Sequence, residues 1–237
     1  MHSSDGRTPA LDQVVFCGMG GSGSTYLRHA LARAGLTVHN KPDIVHHRYW
    51  VKQGRSAQRE EFGRRANGFE LGTEPGIAGI RHYLDRLAAT PDTTAVLGTW
   101  AEQQLLRHAG RRRIVFLLRE PAAAYRSMCD PERHGDIAEQ YGGPDSWYAV
   151  FYAERWRKIA EEYLALRAAG WDVTLWSYEH LPECARRDGF GEVVTEWRLS
   201  PPRLKPALRD ETIDLIRACT SDVRRALDIP EWDQVRA

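Results

Sequence analysis

A glycine-rich stretch near the start of the chain has the residue types that bind an anion. Residues 14–17 (Val-Val-Phe-Cys) form a short apolar run that predicts a buried strand, and a helix is expected to open at Ser24. The turn between them runs from Gly18 to Gly23. Such a turn leaves backbone N–H groups unpaired and directs them, with the positive end of the helix, at one point. The sequence therefore predicts a site for a phosphate or sulfate group.

The spacing of this turn is close to that of a nucleotide-binding P-loop, but the lysine of a P-loop is missing. Gly18, four residues, Gly23 and then two hydroxyl residues match the frame, with Ser24 where the lysine would stand. Kinases and ATPases use that lysine to neutralise the phosphoryl group. An anion site is therefore favoured over a site that hydrolyses ATP. The alternative is an ordinary strand-to-helix turn in which Ser24 or Thr25 caps the helix.

A second phosphate-binding pattern follows the clearest apolar strand, Arg113–Leu118. Arg119 comes directly after this strand, and Ser127 lies on the helix expected over Pro121–Met128. Ligands of open α/β sheets bind beyond the carboxyl ends of the strands, where Arg119 and the glycine turn are both expected. An arginine fork and a hydroxyl together suit a phosphate. These residues predict a second phosphate site, separate from the first.

The pattern of the whole chain predicts strands that alternate with helices. Short strands are expected over residues 14–17, 36–39, 94–97, 113–118 and 171–176, the second of them after a helix cap at Gly35. Besides the helix at Ser24, helices are expected over 75–87, 102–108, 121–128, 147–169, 191–197 and 211–227. This alternation implies an α/β fold of three layers, with a mostly parallel central sheet flanked by helices. We expect one domain over residues 1–237, with 1–10 disordered.

Composition narrows the class of protein. The chain has 237 residues, 27% of them charged, and a net charge of +1, so no global field favours nucleic acid or a membrane surface. The N-terminal residues lack the apolar core of a signal peptide, and no apolar run approaches 18 residues. We expect a cytoplasmic protein without a membrane span or a metal. Free thiols are expected at four scattered cysteines, Cys17, Cys129, Cys184 and Cys219.

Taken together, the motifs resemble those of the sulfotransferases that use 3′-phosphoadenosine 5′-phosphosulfate (PAPS). Residues 22–27 (Ser-Gly-Ser-Thr-Tyr-Leu) are similar to the family's Ser-Gly-Thr-Thr-Trp loop. Arg119 and Ser127 keep the family's eight-residue spacing after a strand, with Pro121 completing its Arg-x-Pro. Residues 173–181 are similar to a strand that ends in Tyr-Glu-Asp-Leu. The motifs come in the family's order, and the matching frame covers most of the chain.

The resemblance implies a P-loop NTPase-like fold, PAPS as co-substrate and 3′-phosphoadenosine 5′-phosphate (PAP) as product. Arg119 and Ser127 would hold the 3′-phosphate, and Tyr178 would contact the nucleotide. The loop would bind the 5′-phosphosulfate and the adenine through Gly21, Ser22, Gly23, Ser24, Thr25 and Tyr26. The family's lysine falls on Gly21, so its role would pass to backbone N–H groups or to a side chain such as Arg28 or Lys41. The family's Arg-Lys-Gly clamp is absent, although Arg203 and Lys205 lie in a comparable region.

The transfer needs a base that takes a proton from the acceptor's hydroxyl or amine as it attacks sulfur. The candidates are Asp43, His46 and His47, and Glu70 and Glu74 stay open as further ones. The acceptor is expected to be a small molecule or a carbohydrate. Two rivals remain, an ATP- or GTP-dependent small-molecule kinase and a non-catalytic nucleotide-binding protein on the same fold. A homodimer is also left open.

Overall fold

Five parallel strands form the sheet in the part of the chain that the structure describes. The computed structural model describes residues 14–34, 37–39, 93–97, 113–130, 142–194, 207–229 and 232. The strands are β1 (Val14–Gly18), β2 (Thr37–His39), β3 (Thr93–Leu97), β4 (Arg113–Leu118) and β5 (Val173–Ser177). Their order across the sheet is β2-β3-β1-β4-β5, and every pairing between neighbours is parallel. The predicted α/β class with a parallel sheet is confirmed.

Helices cover both faces of this sheet. The described helices are α1 (Ser24–Arg33), α2 (Pro121–Met128), α3 (Trp147–Ala168), α4 (Leu181–Arg187) and α5 (Asp210–Leu227). Alternate residues of β1 and β4 point to opposite faces: Val15 and Phe116 pack with α2, α3 and α5, whereas Phe16 and Val115 pack with α1 and α4. Residues 14–17 of β1 and 114–118 of β4 are therefore apolar without interruption, as is typical of parallel strands covered on both sides.

The central strand β1 lies where the direction of the chain across the sheet reverses. In β1, Val15 pairs with Ala95 of β3 on one side and Ile114 of β4 on the other. The chain builds β2 and β3 on the first side and then crosses to build β4 and β5 on the second. Ligands of open α/β sheets bind at such a reversal, outside the carboxyl ends of the strands. The glycine turn after β1, Arg119 after β4 and Tyr178 after β5 all lie at this edge.

The boundary between α3 and β5 differs from the prediction. Gly170 N–H donates to the Arg167 carbonyl (3.1 Å) and Trp171 N–H to the Leu166 carbonyl (3.0 Å). This pair of bonds, with Gly170 at φ +77°, is a Schellman motif that ends the helix. Trp171 therefore belongs to the helix end, and β5 begins at Val173 rather than at Trp171.

Two short segments after β5 also differ from the prediction. Helix α4 was not predicted, although Pro182 in its first turn is a typical start signal. In place of a helix over residues 191–197, the structure has a 3₁₀ turn at Gly191–Val194, with 195–197 outside the described residues. A second 3₁₀ turn, Tyr178–His180, joins β5 to α4. The expected cap at Gly35, the helices over 75–87 and 102–108 and the disorder of 1–10 also fall outside the described residues.

Helix α5 has its amino end fixed by a side chain from another segment. Its N-cap residue, Arg209, provides no side-chain cap of its own. Instead, Asp145 accepts hydrogen bonds from Thr212 Oγ1 and from Arg209 N–H (3.1 Å). Burial acts to raise the pKa of Asp145, but these hydrogen bonds outweigh burial and hold the pKa below its ordinary value.

Asp145→Asn is expected to lower the free energy of unfolding by about 1 kcal/mol at pH 7. Because the folded-state pKa of Asp145 is depressed, its stabilisation is complete above the ordinary carboxyl pKa of about 4 and disappears as the pH falls through the folded value. Urea unfolding at several pH values should show the difference between variant and parent shrinking below about pH 4. Asp172→Asn, at an exposed aspartate, is the control. A constant difference at every pH would contradict this account.

Candidate functional site

The glycine turn presents uncapped N–H groups at the start of α1. Ser22 N–H donates to the Met19 carbonyl (3.0 Å), and Gly21 has φ +87°, which makes residues 19–22 a type II turn. Gly23, at φ +89°, is the N-cap of α1 and makes no side-chain hydrogen bond. The suggestion that Ser24 or Thr25 caps the helix is therefore wrong, since both lie inside its first turn. The first N–H groups of α1 have no side-chain cap, which is the condition for an anion site.

Ser22 has a buried hydroxyl that lacks a partner. The residue is 0% exposed, and among the described residues its Oγ has no hydrogen bond. An unpaired buried hydroxyl costs about 1–3 kcal/mol, so such atoms call for an explanation. Ser22 stands next to the N-cap of α1. Its hydroxyl is therefore placed to donate a hydrogen bond to an oxygen of an anion bound at the start of that helix. Of the neighbouring hydroxyl residues, Ser24 is buried and Thr25 is exposed.

Gly21 lies against the backbone of α2 and has no room for a side chain. A Cβ built at this position would overlap the carbonyl oxygen of Ala124 and lie 2.9 Å from its carbonyl carbon. The positive φ of Gly21 separately disfavours any residue with a Cβ. The absence of a lysine here therefore has a steric cause: the loop and α2 approach too closely.

Arg119 reaches from the end of β4 to this same turn. Its Nη1 donates to the Gly21 carbonyl (3.3 Å), and its guanidinium carbon lies 4.4 Å from the centre of the Tyr178 ring. Its Nε lies 3.8 Å from Glu179 Oε1, which makes an ion pair too long for a hydrogen bond. Nε is buried and has no hydrogen bond among the described residues. Arg119 and the glycine turn, which the sequence assigns to two separate phosphate sites, are therefore in contact with each other.

Glu179 anchors this arginine from the side of β5. One carboxylate oxygen, Oε2, accepts from Ser177 Oγ (2.8 Å) and from Trp232 Nε1 (3.0 Å). The other oxygen, Oε1, accepts from Glu120 N–H (3.4 Å) and faces Arg119. The carboxylate is therefore held on one side and presented to the guanidinium on the other.

Helix α3 ties the glycine turn and the Arg119 backbone to one rigid element. Tyr152 Oη donates to the Gly20 carbonyl (2.6 Å), and Trp156 Nε1 donates to the Arg119 carbonyl (3.0 Å). These two side chains, four residues apart, lie on the same face of the helix and are almost fully buried. Burial raises the pKa of Tyr152 well above its ordinary value, so the phenol stays protonated and donates.

The other predicted site residues have different environments. Ser127 lies on α2 and is 1% exposed. A ligand could therefore contact its hydroxyl only by entering the protein interior. Tyr26 is partly buried and packs against the core cluster beside α1, and Tyr178 is 8% exposed beneath Arg119. Arg28 lies on α1 and has no described hydrogen bond to the turn. The following candidates lie outside the described residues: Lys41, Asp43, His46, His47, Glu70, Glu74, Arg203 and Lys205.

Sequence reasoning missed several residues that organise the site, namely Glu120, Tyr152, Trp156 and Glu179. Glu179 stands inside the Tyr-Glu-His-Leu segment that the motif comparison used, so its position was visible but its partner was not. The spacing of Tyr152 and Trp156 predicts only a helix that faces the core. It does not indicate which groups accept hydrogen bonds from the tyrosine hydroxyl and the indole N–H. Partners 37 and 132 residues apart in the chain cannot be paired from spacing alone.

No family model, curated protein or solved structure matches this chain. Within the described residues, no group of three or more histidine, cysteine, aspartate or glutamate side chains could hold a metal ion. None of the described helices is both long enough and apolar enough to cross a membrane. The four cysteines are free.

Proposed function

We propose that this protein is a PAPS-dependent sulfotransferase whose sheet edge binds the anionic groups of the nucleotide. One observation carries the proposal: Arg119 donates to the Gly21 carbonyl, next in the chain to the buried Ser22 hydroxyl, which has no partner among the described residues, and to the uncapped start of α1. Hydrogen-bond donors and one cation are thus brought to the same turn from the ends of two strands, which suits an anion. The position of this turn, after the central strand of a parallel sheet, also favours a P-loop NTPase-like fold.

The chemistry would depend on positioning and charge. The 5′-phosphosulfate would lie on the turn, where backbone N–H groups and Ser22 can donate to oxygens that gain charge during transfer. The sulfuryl group would pass in line to an acceptor hydroxyl or amine, whose proton a base must take. The bond between sulfur and the 5′-phosphate oxygen would break at the same time, and PAP would leave with that oxygen. The candidate bases, Asp43, His46 and His47, remain those that the sequence predicts. The acceptor would be a small molecule or a carbohydrate.

Of the two rival functions, only a binding protein without transfer activity gains from a structural feature. Gly21 has no room for the cation that the family places there, so the turn provides binding groups without its own charge. Phosphoryl transfer by a kinase is less suited, because the lysine position of a P-loop is occupied by Ser24, a buried serine.

PAP is expected to stabilise the protein against heat more than ATP–Mg does. A ligand at 100 times its Kd adds about 2.7 kcal/mol to the free energy of unfolding. Ser22→Ala should keep or slightly increase the stability of the free protein, because it removes an unpaired buried hydroxyl. The same change should weaken PAP about tenfold, since a hydrogen bond to a charged group contributes about 1.5–3 kcal/mol. Differential scanning calorimetry and titration calorimetry measure the two effects.

The control variant is Ser221→Ala, whose hydroxyl donates to the Ala218 carbonyl on exposed α5 surface and should not affect PAP. Stabilisation by ATP–Mg alone would refute the sulfotransferase proposal. If PAP binds and PAPS yields no sulfated product with any acceptor of a broad hydroxyl and amine panel, the binding-protein rival is the better description.

A further inference from the structure

The anion site has a turn that cannot carry its own cation. The positive φ of Gly21 and the backbone of Ala124 leave no room for a side chain at position 21. Of the other side chains suggested for this role, Arg28 has no described hydrogen bond to the turn. Arg119 does have one, through Nη1 to the Gly21 carbonyl. The positive charge that reaches the turn from the described residues is therefore that of Arg119.

The Arg119 guanidinium is held in place by its neighbours, but few of its N–H groups donate hydrogen bonds to described residues. The guanidinium has five N–H donors, and within the described part of the chain it makes one long hydrogen bond, from Nη1 to the Gly21 carbonyl (3.3 Å). Nε is buried and has no hydrogen bond to any described residue, and the ion pair with Glu179 is loose at 3.8 Å. The side chain is 15% exposed and stacks on Tyr178, so it is confined while donors remain for a ligand.

We infer that Glu179 is a positioning residue: it holds the Arg119 guanidinium beside the glycine turn, where Arg119 supplies the charge that Gly21 cannot. The inference rests on the proposed anion site. It assigns Arg119 to the anion on the turn, whereas the family resemblance assigns it to the 3′-phosphate. It adds Glu179, which no motif assigned, as the residue that determines where that charge lies.

The hydrogen bonds of Glu179 make it suited to this role. Ser177 and Trp232 both donate to Oε2, so the carboxylate cannot turn freely, and Oε1 stays toward Arg119 and the Glu120 N–H. Trp232 is 1% exposed and packs against Trp156, which itself donates to the Arg119 carbonyl. The Arg119 backbone is thus held by a buried indole, and its guanidinium faces a carboxylate whose orientation is fixed.

Titration calorimetry with inorganic pyrophosphate, 5′-AMP and 3′-AMP tests the inference. Arg119→Gln should weaken pyrophosphate and 5′-AMP at least tenfold and leave 3′-AMP within twofold. Glu179→Gln should weaken the same two ligands about fivefold. That direction is informative, because removal of a nearby negative charge would by itself tighten the binding of an anion. In the Arg119→Gln background, Glu179→Gln should no longer weaken either ligand.

Trp232→Phe keeps the test decisive where the Arg119 or Glu179 variants fail to fold. It removes the N–H that holds Glu179 Oε2, together with part of the ring and with no change of charge, and should weaken pyrophosphate about threefold. The matched control is Trp176→Phe, which removes the same atoms from an indole whose N–H donates to Asp188 (2.6 Å) and not to Glu179. It should lower thermal stability and leave pyrophosphate unaffected.

Three results with the variants would overturn the inference: unchanged pyrophosphate affinity in Arg119→Gln, weakening of 3′-AMP alone, or tighter binding in Glu179→Gln. A fourth, failure of every anion to bind the parent protein, would also overturn it. If pyrophosphate binds in an Arg119-dependent way and only ATP–Mg stabilises the protein, the inference stands and the sulfotransferase proposal fails.

Discussion

Replacement of Gly21 by alanine is expected to lower the free energy of unfolding by about 4 kcal/mol, close to the most severe class of single substitutions. The positive φ contributes about 1–2 kcal/mol for a residue with a Cβ. The rest comes from overlap of the new Cβ with the backbone of Ala124, which cannot rotate away as a side chain could. Gly21→Lys should cost at least as much, and should not improve anion affinity. Urea unfolding measures the change.

Gly170→Ala is the matched control, because Gly170 has a similar φ of +77° and nothing within 4 Å of a built Cβ. It should show the backbone cost alone, about 1–2 kcal/mol. The difference between the two variants then measures the close approach of the turn to α2. Equal effects at the two glycines would mean that the turn moves freely away from α2. The explanation for the missing lysine would then be lost.

The sheet was predictable because its strands have strong local signals. β4 is apolar in every residue after Arg113, and its predicted bounds agree with the structure. The predicted bounds of α2 also agree, and Pro121 marks its start. Errors occurred where a cap or turn decided the outcome: Trp171 looked like strand but bonds back to α3, and α4 follows β5 with one 3₁₀ turn between them. Periodicity does not reveal which backbone group accepts a given N–H.

The site was predictable only as a set of residue types at one edge. The glycine turn and Arg119 were recognised because each follows a strand of a parallel sheet. Their contact through the Gly21 carbonyl joins residues 98 apart in the chain and has no local signal. The cost of a side chain at Gly21 likewise depends on Ala124, a residue without any motif. The sequence therefore could not predict how close Arg119 lies to the glycine turn.

A buried acid beside Arg119 connects the site to the stability of the fold. Glu120 is 0% exposed and caps α2, with Oε2 accepting from Ala123 N–H (2.7 Å). Its other oxygen accepts from Arg217 Nε of α5 (3.1 Å). One carboxylate therefore joins the end of β4, the start of α2 and α5. The backbone that carries Arg119 is held from both sides, by Glu120 and by Trp156.

Glu120→Ala is expected to lower the free energy of unfolding by about 3 kcal/mol, because it leaves the Ala123 N–H uncapped and removes the buried partner of Arg217. Glu120→Gln should cost less, since its amide oxygen can still accept from Ala123 N–H. Urea unfolding also gives the coupling with Arg217→Ala: the double variant should cost less than the two single changes added together. Additive costs would mean that the two side chains stabilise the fold independently.

The exposed pair between Glu183 and Arg186 provides the comparison, at a similar separation of 3.0 Å but with side chains 59% and 66% exposed. Glu183→Ala should change stability by no more than about 0.5 kcal/mol, because water replaces the partner of an exposed arginine. The two ion pairs differ in burial and not in contact distance, and Glu120 in addition caps α2. A large loss at Glu120 with a small one at Glu183 would therefore show that the buried contacts of Glu120 give it its weight. Equal losses would show instead that burial adds nothing to the contribution of Glu120.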